Sequence, residues 1–494
     1  MHILLVCPEY PDTFWSFKHA LHFVSKKAGQ PPLALLTVAA LLPAEWEKRL
    51  VDLNLRPLTQ RDLRWADYVF LTGMSVQAGS ARAVIERCNR EGTPVVAGGP
   101  LFTARHEEFE GVDHFVLNEA EITLPLFLED LRQGHPKHLY TTQEWADVRT
   151  TPLPSWDLID RRQYATMNIQ YSRGCPYDCE FCDITVLYGR LPRVKSVDQI
   201  IAELDALYRT RWRGHVFFVD DNFIGNKERL KKDVLPRLVE WMEERGHPFS
   251  FGTEASLNLS DDPLLLDLMV RAGFEEVFVG IETPHAASLE ECKKIPNRNR
   301  DLIGSVKTLQ KAGLQVQGGF IVGFDNDPAS IFDTLIQFIR ESRIVVAMVG
   351  LLNAPVNTRL YRRLMKEERL LKGFSGDNTD FSMNFVPKMN PEGLAAGYRQ
   401  VVATIYSPKV YYKRVMEFLR SQEHRRKKRG SSLQVAHVSA LIKSMVLLGV
   451  IGKERIYYWK LFFWSLFRRP RHFSMAITLA IYGFHFRRVF EQYV

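Results

Sequence analysis

The chain of 494 residues lacks the features that define several large classes of protein. It has no clean apolar run of about 18–20 residues, which a membrane-spanning helix requires, and no long low-complexity run. The amino terminus, MHILLVCPEYP, has no basic region followed by a cleavable apolar stretch, so we expect a buried strand there and no targeting peptide. We therefore expect a folded, cytoplasmic protein of two or three domains.

Cysteine is scarce, and it is unevenly placed. The chain has six cysteines, of which Cys7, Cys88 and Cys292 are isolated. The other three stand within eight residues with the spacing C-x3-C-x2-C: Cys175, Cys179 and Cys182. Three clustered thiols suit disulfides poorly in a chain without a secretory signal. A structural zinc site wants four ligands, usually from paired C-x2-C units, and the sequence has no second unit. Zinc and disulfides remain the weaker alternatives.

The cysteine segment Tyr171–Asp183 has the spacing of an iron–sulfur loop. Three thiolates can each hold one iron of a [4Fe-4S] cluster, and the fourth iron then has no protein ligand and can bind a small molecule. The segment resembles the radical S-adenosylmethionine superfamily. The resemblance implies that the open iron binds the amino and carboxylate groups of S-adenosylmethionine, that reductive cleavage yields a 5′-deoxyadenosyl radical, and that Phe181 lies beside the adenine.

Residues 1–150 alternate between apolar strands and helices. Strands are predicted at 3–7, 49–53, 67–73, 93–97 and 114–117, and helices at 33–42, 80–89 and 121–131. This alternation predicts an open, Rossmann-like parallel α/β sheet. Ligands of such sheets lie beyond the carboxyl ends of the strands, where Ser75, Gln77, Gly98 and Gly99 fall.

This first domain resembles the cobalamin-binding domain that precedes many radical S-adenosylmethionine domains. The resemblance implies that the Ser75–Gln77 loop and the paired Gly98 and Gly99 flank the nucleotide tail of cobalamin. The D-x-H-x-x-G motif of better-known cobalamin domains is absent after the first strand, so we expect no histidine ligand on the lower face. A flavodoxin-like domain that has lost the cofactor is the alternative.

Residues 151–370 are predicted to form a partial (β/α)6 barrel. Strands are expected at 167–171, 215–219, 249–254, 276–282, 315–324 and 345–350, with helices between them. The number of units matches the barrel of the radical superfamily. Active sites of parallel βα barrels lie at the carboxyl ends of the strands, where the cysteine loop, Asp220, Glu254, Glu282 and Gly323 are placed.

The family resemblance gives several residues of these strand ends an expected role. It implies that Gly280 and Glu282 meet the ribose or amino group of S-adenosylmethionine, with Thr253 and Glu254 as further candidates. It also implies that Gly318, Gly319 and Gly323 let the backbone approach the adenine, although strand bulges or tight packing also explain such glycines. Asp220 and Asp221 either line the site or cap the strand end. No catalytic acid–base pair is named, because the radical chemistry belongs largely to the cofactor.

Residues 371–494 are predicted to form a helical extension with a basic, aromatic tail. From His424 onward the chain carries a net charge of +12. The whole chain carries +8, so the remainder carries −4, and the basic tail favours an anionic partner. The extension resembles the branch that includes hopanoid C-2 methylases. An interfacial helix on anionic lipid and a basic helix packed on the barrel both fit the segments 456–469 and 473–486. Nucleic-acid binding is not expected, because no recognised RNA-binding module is present.

These patterns converge on a cobalamin-dependent radical S-adenosylmethionine methyltransferase. We expect it to methylate an unactivated carbon of a lipid or isoprenoid-like substrate, to receive electrons from a flavodoxin or ferredoxin, and to contact the inner face of the membrane through its tail. A radical cyclase or other carbon–carbon bond-forming enzyme is the first alternative. A metal-binding membrane or nucleic-acid adaptor without turnover is the alternative from another class.

Overall fold

The framework of the computed structural model, which describes residues 1–371, 373–377, 379–422 and 435–491, is a pair of six-stranded sheets. All neighbouring strands within each of these two sheets are parallel. Both faces of such sheets are covered, so short and nearly continuous apolar runs form the strands. The first strand shows this directly, because Ile3 to Cys7 are all buried. The predicted α/β class is therefore confirmed.

The amino-terminal sheet has the strand order β2-β1-β3-β4-β5-β6. Its strands are β1 (His2–Cys7), β2 (Glu47–Asp52), β3 (Tyr68–Thr72), β4 (Val95–Gly98), β5 (His114–Val116) and β6 (Leu139–Tyr140). This order reverses direction between β1 and β3, and doubly wound folds bind ligands at such a switch point, beyond the carboxyl ends of the strands. The crevice therefore opens next to Cys7 and Thr72.

Six α-helices accompany this sheet in the described chain: α1 (Lys18–Leu21), α2 (Leu33–Leu41), α3 (Gln60–Trp65), α4 (Ala78–Glu91), α5 (Pro100–Arg105) and α6 (Ala120–Arg132). The sequence analysis missed α1, α3, α5 and β6, which are too short to show a period. Helix α3 is held by its cap, because the Thr59 side chain accepts from the backbone N–H of Asp62 while Asp62 bonds back to Thr59.

The second sheet has the order β14-β13-β12-β11-β10-β7 and forms the partial barrel. The strands of this half are β7 (Met167–Ile169), β8 (Ser172–Arg173), β9 (Arg193–Val194), β10 (His215–Phe218), β11 (Ser250–Glu254), β12 (Phe274–Glu282), β13 (Gln315–Val322) and β14 (Ala347–Leu351). Strands β8 and β9 form a separate antiparallel pair that brackets the cysteine loop. The six predicted barrel strands all exist.

The helices around the barrel are α7 (Ile184–Tyr188), α8 (Val197–Arg209), α9 (Lys227–Arg229), α10 (Leu235–Glu244), α11 (Pro263–Ala272), α12 (Ala286–Glu291), α13 (Leu302–Lys311), α14 (Ile331–Ser342) and α15 (Arg359–Lys366). A π-helical turn at Leu230–Val234 joins α9 to α10, so the continuous helical stretch from 227 to 244 contains one irregular turn. The Asn226 side chain caps it by accepting from the N–H of Arg229, as its position predicts.

The carboxyl-terminal helices are α16 (Pro391–Tyr406), α17 (Pro408–Ser421), α18 (Val435–Val446), α19 (Arg455–Arg468) and α20 (Phe473–Glu491). In the predicted extension of residues 371–494 the first helix begins only after Asn390, whose side chain caps it. The basic run 424–429 lies outside the described residues. In the ranges that the structure describes, no helix is long and apolar enough to cross a membrane.

Candidate active site

The cysteine loop lies at the carboxyl end of the first barrel strand. Cys179 is buried, and Cys175 and Cys182 are partly buried; none of the three forms a disulfide. The loop turns at Gly174, whose φ of +92° is left-handed. A Cβ at Gly174 would come within 3.0 Å of three backbone carbonyl oxygens, so only glycine fits this turn. The bond from the Glu180 N–H to the Cys292 carbonyl, at 2.9 Å, holds the far side of the loop.

The spacing of the three sulfur atoms argues against a single zinc ion. Within the described part of the chain, the one trio of ligand atoms found within 4.8 Å of one another does not contain these sulfurs. A zinc–sulfur bond of about 2.3 Å would bring tetrahedral sulfurs to about 3.8 Å from one another. At least one pair of the three sulfur atoms is therefore more than 4.8 Å apart, which suits a cluster in which each sulfur holds a different iron.

Two carboxylates from the next strand end fix the cysteine loop. Asp220, which is fully buried, accepts from the N–H of Tyr171 at 3.1 Å and from both the N–H and the hydroxyl of Ser172. Asp221 accepts from the Gly174 N–H at 3.1 Å. Burial raises the pKa of Asp220 to about 7 and that of Asp221 to about 6. Both aspartates line the cavity described below, and both also hold backbone groups.

A buried ion pair stands at the end of β12 beside the cysteines. The Lys294 Nζ lies 2.6 Å from the Glu282 Oε1. Glu282 has a left-handed φ of 65°, which turns its side chain toward Lys294 and the cavity. Burial alone would lower the pKa of Lys294, but Glu282 and the cysteines raise it, so the ammonium stays charged. Burial raises the pKa of Cys179 to about 11, and Lys294 opposes that shift.

Lys294 was not predicted. A loop and a short helix separate Lys294 from β12, and nothing in the sequence around this Lys-Lys pair indicates a binding site. Its position suits a role in the site, because a buried cation beside a carboxylate and three thiols can also attract the carboxylate of a bound ligand.

A large cavity connects the two sheets. Its volume is 2970 Å³, and it runs from the carboxyl ends of the amino-terminal strands into the barrel mouth. Typical ligand pockets measure about 300–1,000 Å³, so this space is large enough for more than one ligand. The predicted site residues that line it are Ser75, Gln77, Cys175, Cys179, Phe181, Cys182, Glu254, Gly280, Glu282 and Gly319. The sheet edges thus bring both predicted cofactor regions to one space.

Glu254 is a carboxyl group of this cavity whose pKa is strongly raised. Burial, and then the charge of Asp221, raises its pKa to about 8. It therefore stands protonated over much of the neutral range and can donate a hydrogen bond as well as accept one. The adjacent Thr253 is not a lining residue, because its hydroxyl donates to the Phe218 carbonyl at 3.2 Å inside the sheet.

Four predicted glycines do not line the cavity: Gly98, Gly99, Gly318 and Gly323. For Gly98 and Gly99, contacts within the protein explain why glycine is needed. A Cβ on Gly98 would meet the Val116 carbonyl oxygen at 2.5 Å, and one on Gly99 would meet the Thr72 Oγ1 at 2.2 Å. Close packing at the sheet edge therefore requires both residues to be glycine. Contact of these four with a cofactor stays a prediction.

On the amino-terminal side, the lining residues stand at the switch point of the sheet. Cys7, Thr72, Gly73 and Ser75 face the cavity across from the cysteine loop. The side-chain amide of Gln77 is already hydrogen-bonded within the protein. It donates to the Pro8 carbonyl at 2.6 Å and accepts from the Met74 N–H at 2.9 Å. The carboxyl edge of the amino-terminal sheet therefore lines the cavity with small side chains, which leaves room for a bulky ligand.

Two family models match the chain. Residues 169–339 match the radical SAM superfamily, and residues 358–494 match a domain of unknown function. An uncharacterized methyltransferase of Synechocystis is 41% identical over 490 residues, which cover 98% of this chain and 91% of the relative. The hopanoid C-2 methylase of Rhodopseudomonas palustris is 34% identical over 470 residues, covering 93% of this chain and 88% of the relative.

Two solved structures share this fold over most or all of the chain. OxsB, a cobalamin-dependent S-adenosylmethionine radical enzyme with aqua-cobalamin bound, has a TM-score of 0.62 at 15% identity, covering 100% of this chain and 81% of OxsB. TsrM of Kitasatospora setae, a radical S-adenosylmethionine methyltransferase with cobalamin and a [4Fe-4S] cluster bound, has a TM-score of 0.61 at 14% identity, covering 84% of this chain and 95% of TsrM. At these identities the likeness establishes the fold.

Proposed function

The chain belongs to the radical S-adenosylmethionine methyltransferase family that includes the hopanoid C-2 methylase, and from this premise we propose that it is a cobalamin-dependent methyltransferase acting on an unactivated carbon of a lipid or isoprenoid-like substrate. The proposal depends above all on the cavity of 2970 Å³ that joins the cysteine loop to the switch point of the amino-terminal sheet. A space several times larger than an ordinary pocket of about 300–1,000 Å³ accommodates two cofactors and a substrate together.

The residues present fit these cofactors. Cys175, Cys179 and Cys182 would hold the cluster, and the crevice beside Cys7 and Ser75 would hold cobalamin. When bound, the cluster supplies the electron that cleaves S-adenosylmethionine to a 5′-deoxyadenosyl radical, and cobalamin supplies the carrier for the methyl group.

The chain's own side chains would bind and orient S-adenosylmethionine. Glu282 is placed to accept from an ammonium or a ribose hydroxyl, and Lys294 to attract a carboxylate. Glu254, with its raised pKa, can donate to or accept from the bound nucleoside. Phe181 faces the same space and offers an aromatic surface for the adenine. A product heavier by one methylene unit, formed together with 5′-deoxyadenosine, is the outcome that tests this function.

The cluster of a radical S-adenosylmethionine enzyme must be reduced before each cleavage, so the enzyme needs an electron donor. We propose a flavodoxin or a ferredoxin for this role.

We also propose that the carboxyl-terminal helices rest on an anionic membrane. Nine apolar side chains along α18, the π-turn after it and α19 are exposed: Val438, Ile442, Val446, Val450, Ile451, Ile456, Phe463, Leu466 and Phe467. Ile456 and Phe467 are 73% and 74% exposed.

Charge favours lipid as the occupant of this apolar stripe. Ile456, Phe463 and Phe467 recur at the spacing of one helix face, and Lys460 lies between them. The exposed basic residues around the stripe are Lys453, Arg455, Lys460, Arg468 and Arg471. Apolar side chains on one face with flanking basic residues suit a helix lying in the headgroup region of anionic lipid. Helix α20 differs, because it packs against the body of the protein: Phe486 stacks on Phe14 at 4.1 Å between ring centroids.

Replacing Phe463 and Phe467 together by glutamate should weaken binding to phosphatidylglycerol vesicles by about tenfold or more, because each buried phenyl ring contributes about 1.5–3 kcal/mol. Co-sedimentation with vesicles measures this. Leu126→Glu is the matched control, since Leu126 is an exposed apolar residue on α6, and it should bind like the wild type. A wild-type chain that stays in the supernatant, or a double variant that sediments fully, contradicts the membrane proposal.

A further inference from the structure

A cluster of two histidines and one aspartate lies beside residues 14–17, whose aromatic side chains form one wall of the cavity and are called the aromatic wall. Asp12 follows β1, His19 is on α1, and His485 is on α20 near the end of the chain. One ligand atom from each of the three lies within 4.8 Å of the other two. The Nε2 of His19 lies 2.6 Å from the Oδ2 of Asp12, and the ring centroids of His19 and His485 are 5.5 Å apart. None of the three lines the large cavity.

His485 has the arrangement of a metal ligand. It is fully buried, and its Nε2 lies 3.0 Å from the Phe14 carbonyl oxygen, to which it donates. Among the described residues its other ring nitrogen, Nδ1, has no hydrogen-bond partner. Metal-binding histidines commonly donate one ring N–H to a backbone carbonyl, which fixes the tautomer and leaves the other nitrogen bare for the ion.

Neighbouring groups also hold the other two side chains of the cluster in place. The carboxylate of Asp12 is oriented as well, because the Ser16 hydroxyl lies 3.4 Å from the Oδ1 while the Oδ2 faces His19. An ion pair of Asp12 with His19 satisfies those two side chains but leaves the buried Nδ1 of His485 without a partner.

We propose that Asp12, His19 and His485 bind one divalent transition-metal ion of the zinc type. Two imidazole nitrogens and one carboxylate oxygen form a donor set that zinc accepts, with a fourth position left for water. The ion would take the place of the hydrogen bond that joins the His19 Nε2 to the Asp12 Oδ2.

The ion would fix one wall of the active-site cavity. Between Asp12 and His19 lie Phe14, Trp15 and Phe17, which line the cavity. The Trp15 indole packs edge-on against Phe278 of β12, with 5.2 Å between ring centroids. A metal that joins this loop to α20 would hold the aromatic wall in place against β12, far from the cysteine loop in sequence and independent of it in chemistry.

The test measures zinc in the full-length enzyme with its iron–sulfur cluster already assembled, so that the cysteines are occupied. We expect one zinc ion per chain after dialysis against zinc and then against buffer, measured by plasma mass spectrometry. The zinc X-ray absorption spectrum should show a nitrogen and oxygen shell at about 2.0–2.1 Å and no sulfur shell at about 2.3 Å. A sulfur shell would place the zinc on cysteines and overturn the proposal.

Two ligand variants and one matched control complete the test. Asp12→Asn and His485→Gln should each weaken zinc binding by more than the roughly 10–100-fold that loss of an outer-shell partner causes, with iron content unchanged. Asp12 is partly exposed, so its variant is expected to fold even where the buried His485 variant does not. His22→Gln, an exposed histidine of the same segment, should bind zinc like the wild type. Full zinc occupancy in Asp12→Asn, or none in the wild type, overturns the proposal.

Discussion

The variant Cys179→Ala should contain no [4Fe-4S] cluster after anaerobic reconstitution and should release no 5′-deoxyadenosine above background. Each of the three motif cysteines is expected to hold a different iron, so the loss of one thiolate leaves an iron without its protein ligand. The fold should persist, because the loop is held by other bonds, such as that from the Gly174 N–H to Asp221 at 3.1 Å. Iron and sulfide analysis, the visible absorption spectrum and chromatography of the nucleoside products measure the outcome.

Cys292→Ala is the matched control for this prediction. Cys292 is buried near Cys179 in an apolar cluster with Phe324 and Leu352, and burial raises the pKa of its thiol. Cys292 stands outside the C-x3-C-x2-C motif, so this variant should keep the cluster and its cleavage activity. If Cys292→Ala instead loses the cluster while Cys179→Ala keeps it, the assignment of the three motif cysteines is wrong.

Changing Glu282 to glutamine should lower the affinity for S-adenosylmethionine by about 10- to 150-fold while leaving the iron content unchanged. A hydrogen bond to a charged group contributes about 1.5–3 kcal/mol, which corresponds to that range. The amide keeps the size of the side chain but removes the charge that faces Lys294 and the proposed ligand. Equilibrium binding of S-adenosylmethionine to the reconstituted enzyme and the rate of 5′-deoxyadenosine formation measure the effect.

The stability of this variant must be measured beside its binding. Removing one partner of a buried ion pair costs about 3–5 kcal/mol when the other charge stays uncompensated, so a lower melting temperature is expected as well. Glu290→Gln is the control, because Glu290 is an exposed acid on α12 that pairs with Arg298 on the surface. Unchanged affinity and cleavage in Glu282→Gln would remove Glu282 from the proposed binding site.

Local patterns predicted the site only where the chemistry is local. The C-x3-C-x2-C spacing lies within eight residues, and strand ends follow from apolar runs, so the cysteines, Glu254 and Glu282 could be placed at one edge. Lys294 could not, because the loop and short helix after β12 bring it back to Glu282. The cluster of Asp12, His19 and His485 joins opposite ends of the chain and leaves no pattern in either.

The glycines show a second limit of the sequence. A glycine signals that something approaches the backbone closely, but the sequence does not say whether that neighbour is a ligand or the protein. At Gly98 the neighbour is the Val116 carbonyl oxygen, 2.5 Å from where a Cβ would stand, and at Gly319 it is the ring of Phe278, at 2.7 Å. Gly319 also lines the cavity, whereas Gly98 does not. The three-dimensional packing of neighbouring strands decides between these roles.

The most direct measurement is mass spectrometry of the products after anaerobic reconstitution with iron, sulfide, cobalamin, reductant and S-adenosylmethionine, with a lipid extract as substrate. The account predicts 5′-deoxyadenosine, S-adenosylhomocysteine and a lipid heavier by one methylene unit, and it predicts that leaving out cobalamin abolishes the mass increase. Formation of 5′-deoxyadenosine without S-adenosylhomocysteine or a methylated product in the complete mixture would contradict the account and favour a radical enzyme that does not transfer methyl groups.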